Sequence, residues 1–245
     1  MKVLTDIVYN NKGQRLDLYL PDGAFDCVFV FFHGGGLEAG AKDPMPVFAP
    51  YLLERNIAVI SADYRMYPNA KFPEFIEDSA DAVAWAFRHI REYGNCNRIF
   101  VGGSSAGGYL SMMLCFNPHW LENVGVDPAA VAGYIHDAGQ PTSHFNVLRE
   151  QGLDTRRVIV DKTAPLYYVG LQESYRPMLF LVSDDDMTNR YEQTVLMLST
   201  LKHFGHDIAE SRVLHGTHCQ HVDTLDENGD SVFGKLIFDF ISRHI

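Results

Sequence analysis

The sequence predicts an α/β fold, a mostly parallel central sheet with helices on both faces, built as a single domain. Three observations carry this. Short apolar runs alternate with stretches of helical spacing along most of the 245 residues, the order expected of strand–helix–strand units. Several runs, above all Cys27 to Phe32 (CVFVFF), are apolar without a break, as in strands buried on both faces. No internal repeat, low-complexity tract or linker divides the chain.

The elements follow in order. Val3 to Tyr9 and Arg15 to Leu20 read as two strands around the turn residues Asn10-Asn11-Lys12-Gly13. Pro21-Asp22-Gly23 breaks the chain before the CVFVFF strand, which runs into His33-Gly34-Gly35-Gly36. Pro46 to Arg55 reads as a helix, and Ile57 to Ser61 as the next strand, ending at Asp63-Tyr64-Arg65. From Pro73 to Tyr93, Phe75, Ile76, Ala80, Val83, Ala84, Phe87 and Ile90 recur at helical spacing before Gly94. Arg98 to Val101 is a short strand, followed by Gly102 to Gly108 (GGSSAGG) and an apolar helix from Tyr109 to Phe116. Val131 to Ile135, Met178 to Val182 and Ile208 to Leu214 read as strands, and Tyr191 to Phe204 and Ser231 to Ile245 as helices. Residues 136–176 are mixed, with short helical stretches and little strand signal, and read as a lid-like insertion.

Bulk composition excludes several classes. Apolar residues make up 47% of the chain and charged residues 21%, an ordinary globular balance. The formal net charge of −11 disfavours a nucleic-acid partner. No apolar stretch reaches the roughly 18 residues of a membrane span, and the first residues, Met1 to Asp6, lack a signal-peptide pattern. A cytoplasmic protein with no membrane partner is therefore expected. The four cysteines are widely spaced and form no CxxC pair, so neither a disulfide framework nor a zinc site is expected. Cys27 and Cys115 read as buried thiols.

The chemistry concentrates in two glycine-rich loops. Gly103-Ser104-Ser105-Ala106-Gly107 fits G-x-S-x-G between a strand and a helix, the placement that exposes the central serine at a sharp turn. Position three of the pattern is Ser105; Ser104 is the competing serine, with Ala106 where a glycine should stand. The loop lacks the G-K-[ST] of a phosphate-binding loop and the spacing of G-x-G-x-x-G. A serine hydroxyl needs a base in hydrogen-bond reach and a third group to orient that base. His33-Gly34-Gly35-Gly36, after the CVFVFF strand, suits an oxyanion hole, because glycine lets backbone N–H groups approach a tetrahedral intermediate closely. The amide of Ala106, at a helix N-terminus, is a further donor. His33 reads as an anchor for this loop rather than the base.

HGGG followed by GSSAG resembles the hormone-sensitive-lipase-like branch of the α/β-hydrolase family. Asp63-Tyr64-Arg65, Pro68, Phe72-Pro73, Asp78 and Trp85 between them extend the resemblance, which runs from about Val28 to the C-terminal helix. It implies the α/β-hydrolase fold and acyl hydrolysis, with no cofactor and no metal. It also implies Gly35, Gly36 and Ala106 as the oxyanion donors.

In such a fold the chain order is serine, acid, histidine. Ser183-Asp184-Asp185-Asp186 follows the Met178 strand, and by the family's G-x-x-D loop, with Ser183 in the glycine place, Asp186 is the expected acid. His215, His218 and His221 follow the next strand. The family places the base after a small glycine-containing turn, which selects His218; His215 reads as a strand-end residue and His221 as a helical or surface one. Asp63, Arg65 and Asp78 read as structural ion pairs beside the site.

The expected partner is a small-molecule ester, with a homodimer left open. Only about 27 residues precede the CVFVFF strand, which leaves little room for the N-terminal helical cap common in the resembled family, so short-chain or small acyl esters are expected, including acetylated or feruloylated saccharides. An arylformamidase or small peptidase uses the same machinery. A non-catalytic binding protein on this scaffold is the reading from another class.

Overall fold

A computed structural model describes residues 1–245. Eight strands form one sheet in the order β1-β2-β4-β3-β5-β6-β7-β8. They are β1 (Lys2–Val8), β2 (Arg15–Leu20), β3 (Cys27–Phe32), β4 (Ile57–Ala62), β5 (Arg98–Ser104), β6 (Gly133–Asp137), β7 (Met178–Asp185) and β8 (Ala209–Thr217). β1 and β2 form an antiparallel hairpin, and β2 pairs antiparallel with β4. From β4 across to β8 every pairing is parallel. The helices are α1 (Ala49–Leu53), α2 (Glu74–His89), α3 (Ala106–Phe116), α4 (His119–Glu122), α5 (Phe145–Glu150), α6 (Arg190–His203) and α7 (Val232–Ser242). No helix is long and apolar enough to cross a membrane.

The unbroken apolar run of β3 is explained by its two neighbouring layers. Val28, Val30 and Phe32 join the larger core with residues of α2, α3 and α6. Cys27, Phe29 and Phe31 point the other way, into a second core with α1 and α7. Alternate residues thus meet opposite helix layers, and neither face tolerates a polar side chain. All six residues of β3 are buried.

Several boundaries differ from the sequence expectation. β5 runs on through Gly102 and Gly103 to Ser104, because Phe32 of β3 on one side and Asp137 of β6 on the other keep it paired. β6 starts two residues later than expected and includes His136 and Asp137, so the mixed segment begins beyond the sheet. β7 extends to Asp185 and β8 to Thr217 through a bulged pairing between Ser183 and Asp185. The first helix is shorter than predicted and ends before Asn56, whose left-handed φ of 58° turns the chain into β4. α2 closes in a tight 3-10 turn at Ile90–Glu92; Glu74 and Glu77 at its start and Arg88 and His89 at its end complement its dipole. α6 buries only Arg190, Thr194, Met197 and Leu201, one narrow stripe at helical spacing.

Candidate active site

The site lies at the carboxyl ends of the parallel strands, where β3, β5, β7 and β8 each release a loop. Ser105 stands between β5 and α3 with φ 55° and ψ −112°, a conformation L-residues rarely adopt. The turn is close enough that a Cβ on Gly107 would sit 1.9 Å from the carbonyl oxygen of Phe32. Glycine there lets α3 start directly against β3 and leaves the serine at the apex.

His218 follows β8 by one residue. Its Nε2 lies 2.8 Å from Ser105 Oγ and its Nδ1 2.5 Å from Asp186 Oδ1. A carboxylate only accepts, so Nδ1 carries the proton and Nε2 is free to accept from the serine. Asp186 is 1% exposed at its side chain. Its carboxylate also accepts from the amides of Met187 at 2.7 Å and Ser183 at 3.2 Å. Burial pushes its pKa up, but the His218 hydrogen bond and charge and the two amides outweigh this, leaving it below the usual carboxylate value.

The neighbouring acids go elsewhere. Asp184 accepts from exposed His215 at 2.8 Å and from the amide of Gly216 at 3.0 Å. Asp185 is exposed in β7. His215 sits in β8 with its side chain in solvent, as a strand-end residue should. His221 departs from the expected surface position. It lies in a single 3-10 turn but is buried, with Nε2 2.8 Å from Asp137 Oδ1. The fold carries it inward because β6 ends in a buried carboxylate that requires a partner.

His33 is a loop anchor. Its Nδ1 donates to Gly34 O at 2.7 Å, its ring stacks on Tyr64 at 4.5 Å, and Tyr64 donates its hydroxyl to His33 O at 2.9 Å. Burial lowers its pKa, so the ring is neutral at pH 7. Gly35 has φ 109°, and a Cβ there would lie 2.0 Å from Ala39 O. Its carbonyl is taken by the amides of Glu38 and Ala39. Among the backbone hydrogen bonds outside the regular elements, none is donated by Gly34, Gly35, Gly36 or Ala106. Of these four residues, Gly34 and Gly35 line the cavity beside Ser105. Asn146 holds the loop from outside, donating Nδ2 to Gly36 O at 2.9 Å.

Sequence reasoning missed Asn146, Asp137 and Cys219. Cys219 Sγ lies 3.6 Å from His218 Nε2 on the cavity wall, and burial keeps its thiol protonated. Only the end of the β6 run, at the carboxyl edge of the sheet, signalled Asp137 beforehand. Lys42, also unforeseen, lines the cavity with its ammonium 2.9 Å from buried Asp17 and 3.2 Å from Asp6. The cavity beside Ser105 measures about 490 Å³ and is bounded by Gly34, Gly35, Met45, Val47, His218 and Val222, among others.

The expected ion pairs resolve into one. Arg65 clasps fully buried Asp78, with Nε 2.7 Å from Oδ2 and Nη2 3.1 Å from Oδ1, and also reaches Glu74. Asp63 instead accepts from the amide of Lys42 at 2.7 Å. Removing the buried carboxylate's charge takes away the bidentate partner and leaves the guanidinium only Glu74 and Glu77. Asp78→Asn is expected to lower unfolding free energy by about 3 kcal/mol, read from urea midpoints at constant m-value; a change below about 1 kcal/mol would show the pair to be dispensable.

An eight-stranded, mostly parallel sheet with a serine–histidine–aspartate chain at its carboxyl edge defines an α/β-hydrolase. Within that class, the model described as the prolyl oligopeptidase family matches residues 73–244, and the chain belongs to that family. The BD-FAE model matches residues 16–125. An AB hydrolase superfamily protein of Schizosaccharomyces pombe is 38% identical over 96 residues, 38% of this chain and 28% of that protein. The carboxylic ester hydrolase LipN of Mycobacterium tuberculosis is 38% identical over 101 residues, 40% of this chain and 27% of that protein. The matched regions thus span only about a quarter of the length of these relatives. Among solved structures, a thermophilic esterase of Thermogutta terrifontis superposes with a TM-score of 0.77 at 21% identity, over 99% of this chain and 91% of that one. A truncated carbohydrate esterase from gut microbiota gives 0.77 at 19% identity, over 100% and 96%. At such identities these two share the fold.

Proposed function

We propose that the protein is a serine carboxylesterase acting on short-chain or small acyl esters, including acetylated or feruloylated saccharides. The observation that carries this is the unbroken hydrogen-bond chain Asp186–His218–Ser105 opening on a cavity edged by unbonded amides. Ser105 Oγ attacks the ester carbonyl while His218 Nε2 takes its proton. The amides of Gly35, Gly36 and Ala106 receive the oxyanion, each worth about 3 kcal/mol of transition-state stabilisation. His218 returns the proton to the leaving alcohol, and water then cleaves the acyl-enzyme by the same route. The segment after β6, residues 138–176, acts as a lid over this loop, through Asn146 on Gly36 and the Arg149–Glu38 ion pair.

A cavity of about 490 Å³ sits in the lower half of the usual ligand-pocket range. In a series of 4-nitrophenyl esters, kcat/KM is expected to peak at C2 to C4; faster turnover of C10 would sink the short-acyl reading. Membership of a family named for a peptidase favours a second reading, a small-amide hydrolase such as an arylformamidase or small peptidase. N-formyl aromatic amides and short peptide anilides run beside the esters separate the two.

A further inference from the structure

A second cavity, of about 340 Å³, is lined in part by residues flanking the catalytic loops. Met187, next to Asp186, forms one wall, and Phe145 another. The Phe145 ring packs over Gly36, where an added Cβ would lie 2.9 Å from its Cζ. Three arginines, Arg156, Arg157 and Arg190, line this cavity, and no carboxylate does.

Arg190 is the unusual member. It is 4% exposed, yet it forms no ion pair, and its one hydrogen bond to protein runs from Nη1 to Ala138 O at 2.5 Å. Ala138 has a left-handed φ of 47°. A guanidinium carries five N–H donors in a planar fork, so most of this one faces the cavity unbonded. A buried unpaired charge is costly and is retained where something pairs with it. The Asp186 carboxylate favours its charge through space, but no carboxylate forms a hydrogen bond or close ion pair with it. Asp154 is held by Arg156 through two oxygens, and Asp186 is committed to His218 and two amides. Gln140, Thr142 and Gln193 satisfy one another along the adjoining wall.

The reach to the nucleophile is short. Ser105 N donates to Asp137 O at 2.8 Å, Arg190 holds the next carbonyl, and consecutive carbonyl oxygens lie within about 5 Å. The guanidinium is therefore within roughly 10 Å of the Ser105 backbone.

We propose that Arg190, assisted by Arg157, forms an anion subsite that binds a carboxylate carried by the ester substrate, within a few bonds of the scissile carbonyl. The inference rests on the esterase reading and narrows it to acidic esters. The protein as a whole is acidic, with a net charge of −11, so this local basic pocket selects an anion that the overall field would repel.

Two matched pairs of substrates test it. 4-Nitrophenyl hydrogen glutarate against 4-nitrophenyl methyl glutarate places the charge on the acyl side. 4-Acetoxybenzoate against methyl 4-acetoxybenzoate places it on the leaving-group side. Each kcat/KM is divided by the hydroxide-catalysed rate of the same ester. Wild type is expected to favour the charged member of one pair by about tenfold or more, mainly through KM, and the favoured pair identifies the side. Arg190→Gln is expected to erase that preference and Arg157→Gln to reduce it about threefold. A purely structural role for Arg190 would lower both members of a pair alike and leave their ratio unchanged, which overturns the proposal. If Arg190→Gln does not fold, Arg157→Gln decides, and an unchanged ratio overturns the proposal there too. Turnover of the neutral esters with no charge preference removes the subsite and leaves the esterase reading standing; inactivity on all four esters removes both.

Discussion

Ser105→Ala is expected to abolish labelling by a fluorophosphonate and to lower ester turnover by about 10⁴- to 10⁶-fold, and His218→Ala to lower turnover by a comparable factor. The two act as one unit. Without the imidazole Nε2 at 2.8 Å the hydroxyl stays protonated and barely nucleophilic, and without the hydroxyl the imidazole has nothing to activate. The double variant should therefore be no slower than either single one, with turnover monitored on 4-nitrophenyl acetate. Residual rate above the uncatalysed reaction comes from the oxyanion donors and from binding. Ser104 is the control. It is buried, and its Oγ finds no partner, so Ser104→Ala should still be labelled. Loss of labelling in Ser104→Ala with retention in Ser105→Ala would reassign the nucleophile, and an unlabelled wild type would revive the binding-protein reading.

Asp186→Asn is expected to lower kcat by about 10⁴-fold with a small change in KM, and Asp185→Asn to be near neutral. Asparagine keeps the shape of the carboxylate and loses the charge that stabilises the imidazolium in the transition state. Its NH₂ can also turn toward His218 Nδ1 and force the tautomer with the proton on Nε2, which cannot accept from Ser105. Asp184→Asn should cost little, because its partner His215 stands in solvent. Near wild-type activity of Asp186→Asn, or a collapse in Asp185→Asn, would reassign the acid. The pKa of Asp186 is lowered, so its contribution to stability is present above the titration of an unfolded aspartate. That contribution disappears only as pH falls through the lower folded value. An activity loss in mild acid, above that folded value, is therefore not caused by protonation of Asp186.

Much of this is visible in the chain before it folds. CVFVFF allows only a strand covered on both faces, and HGGG and GSSAG need glycine for reasons of backbone geometry that hold in any surroundings. Such features are local, and hydrophobic spacing and forced dihedrals read them directly. The ends of elements are less legible. β5 continues through two glycines because β3 and β6 pair with it, and no residue within β5 announces that.

The sequence by itself thus determined the fold class, the positions of the two glycine-rich loops and the short lists of acids and histidines. The family pattern selected Asp186 and His218 from those lists, and the tertiary structure brings these two together with Ser105. β7 and β8 pair with a bulge at Ser183/Asp185, which sends Asp184 to His215 at the surface and Asp186 inward to His218. The same packing buries His221 against Asp137 and leaves Arg190 unpaired beside the catalytic loops. The physical reason is common to all three. Local pattern sets the path of the backbone, but a charged side chain's partner lies tens to about a hundred residues away, and strand register alone fixes which one it reaches.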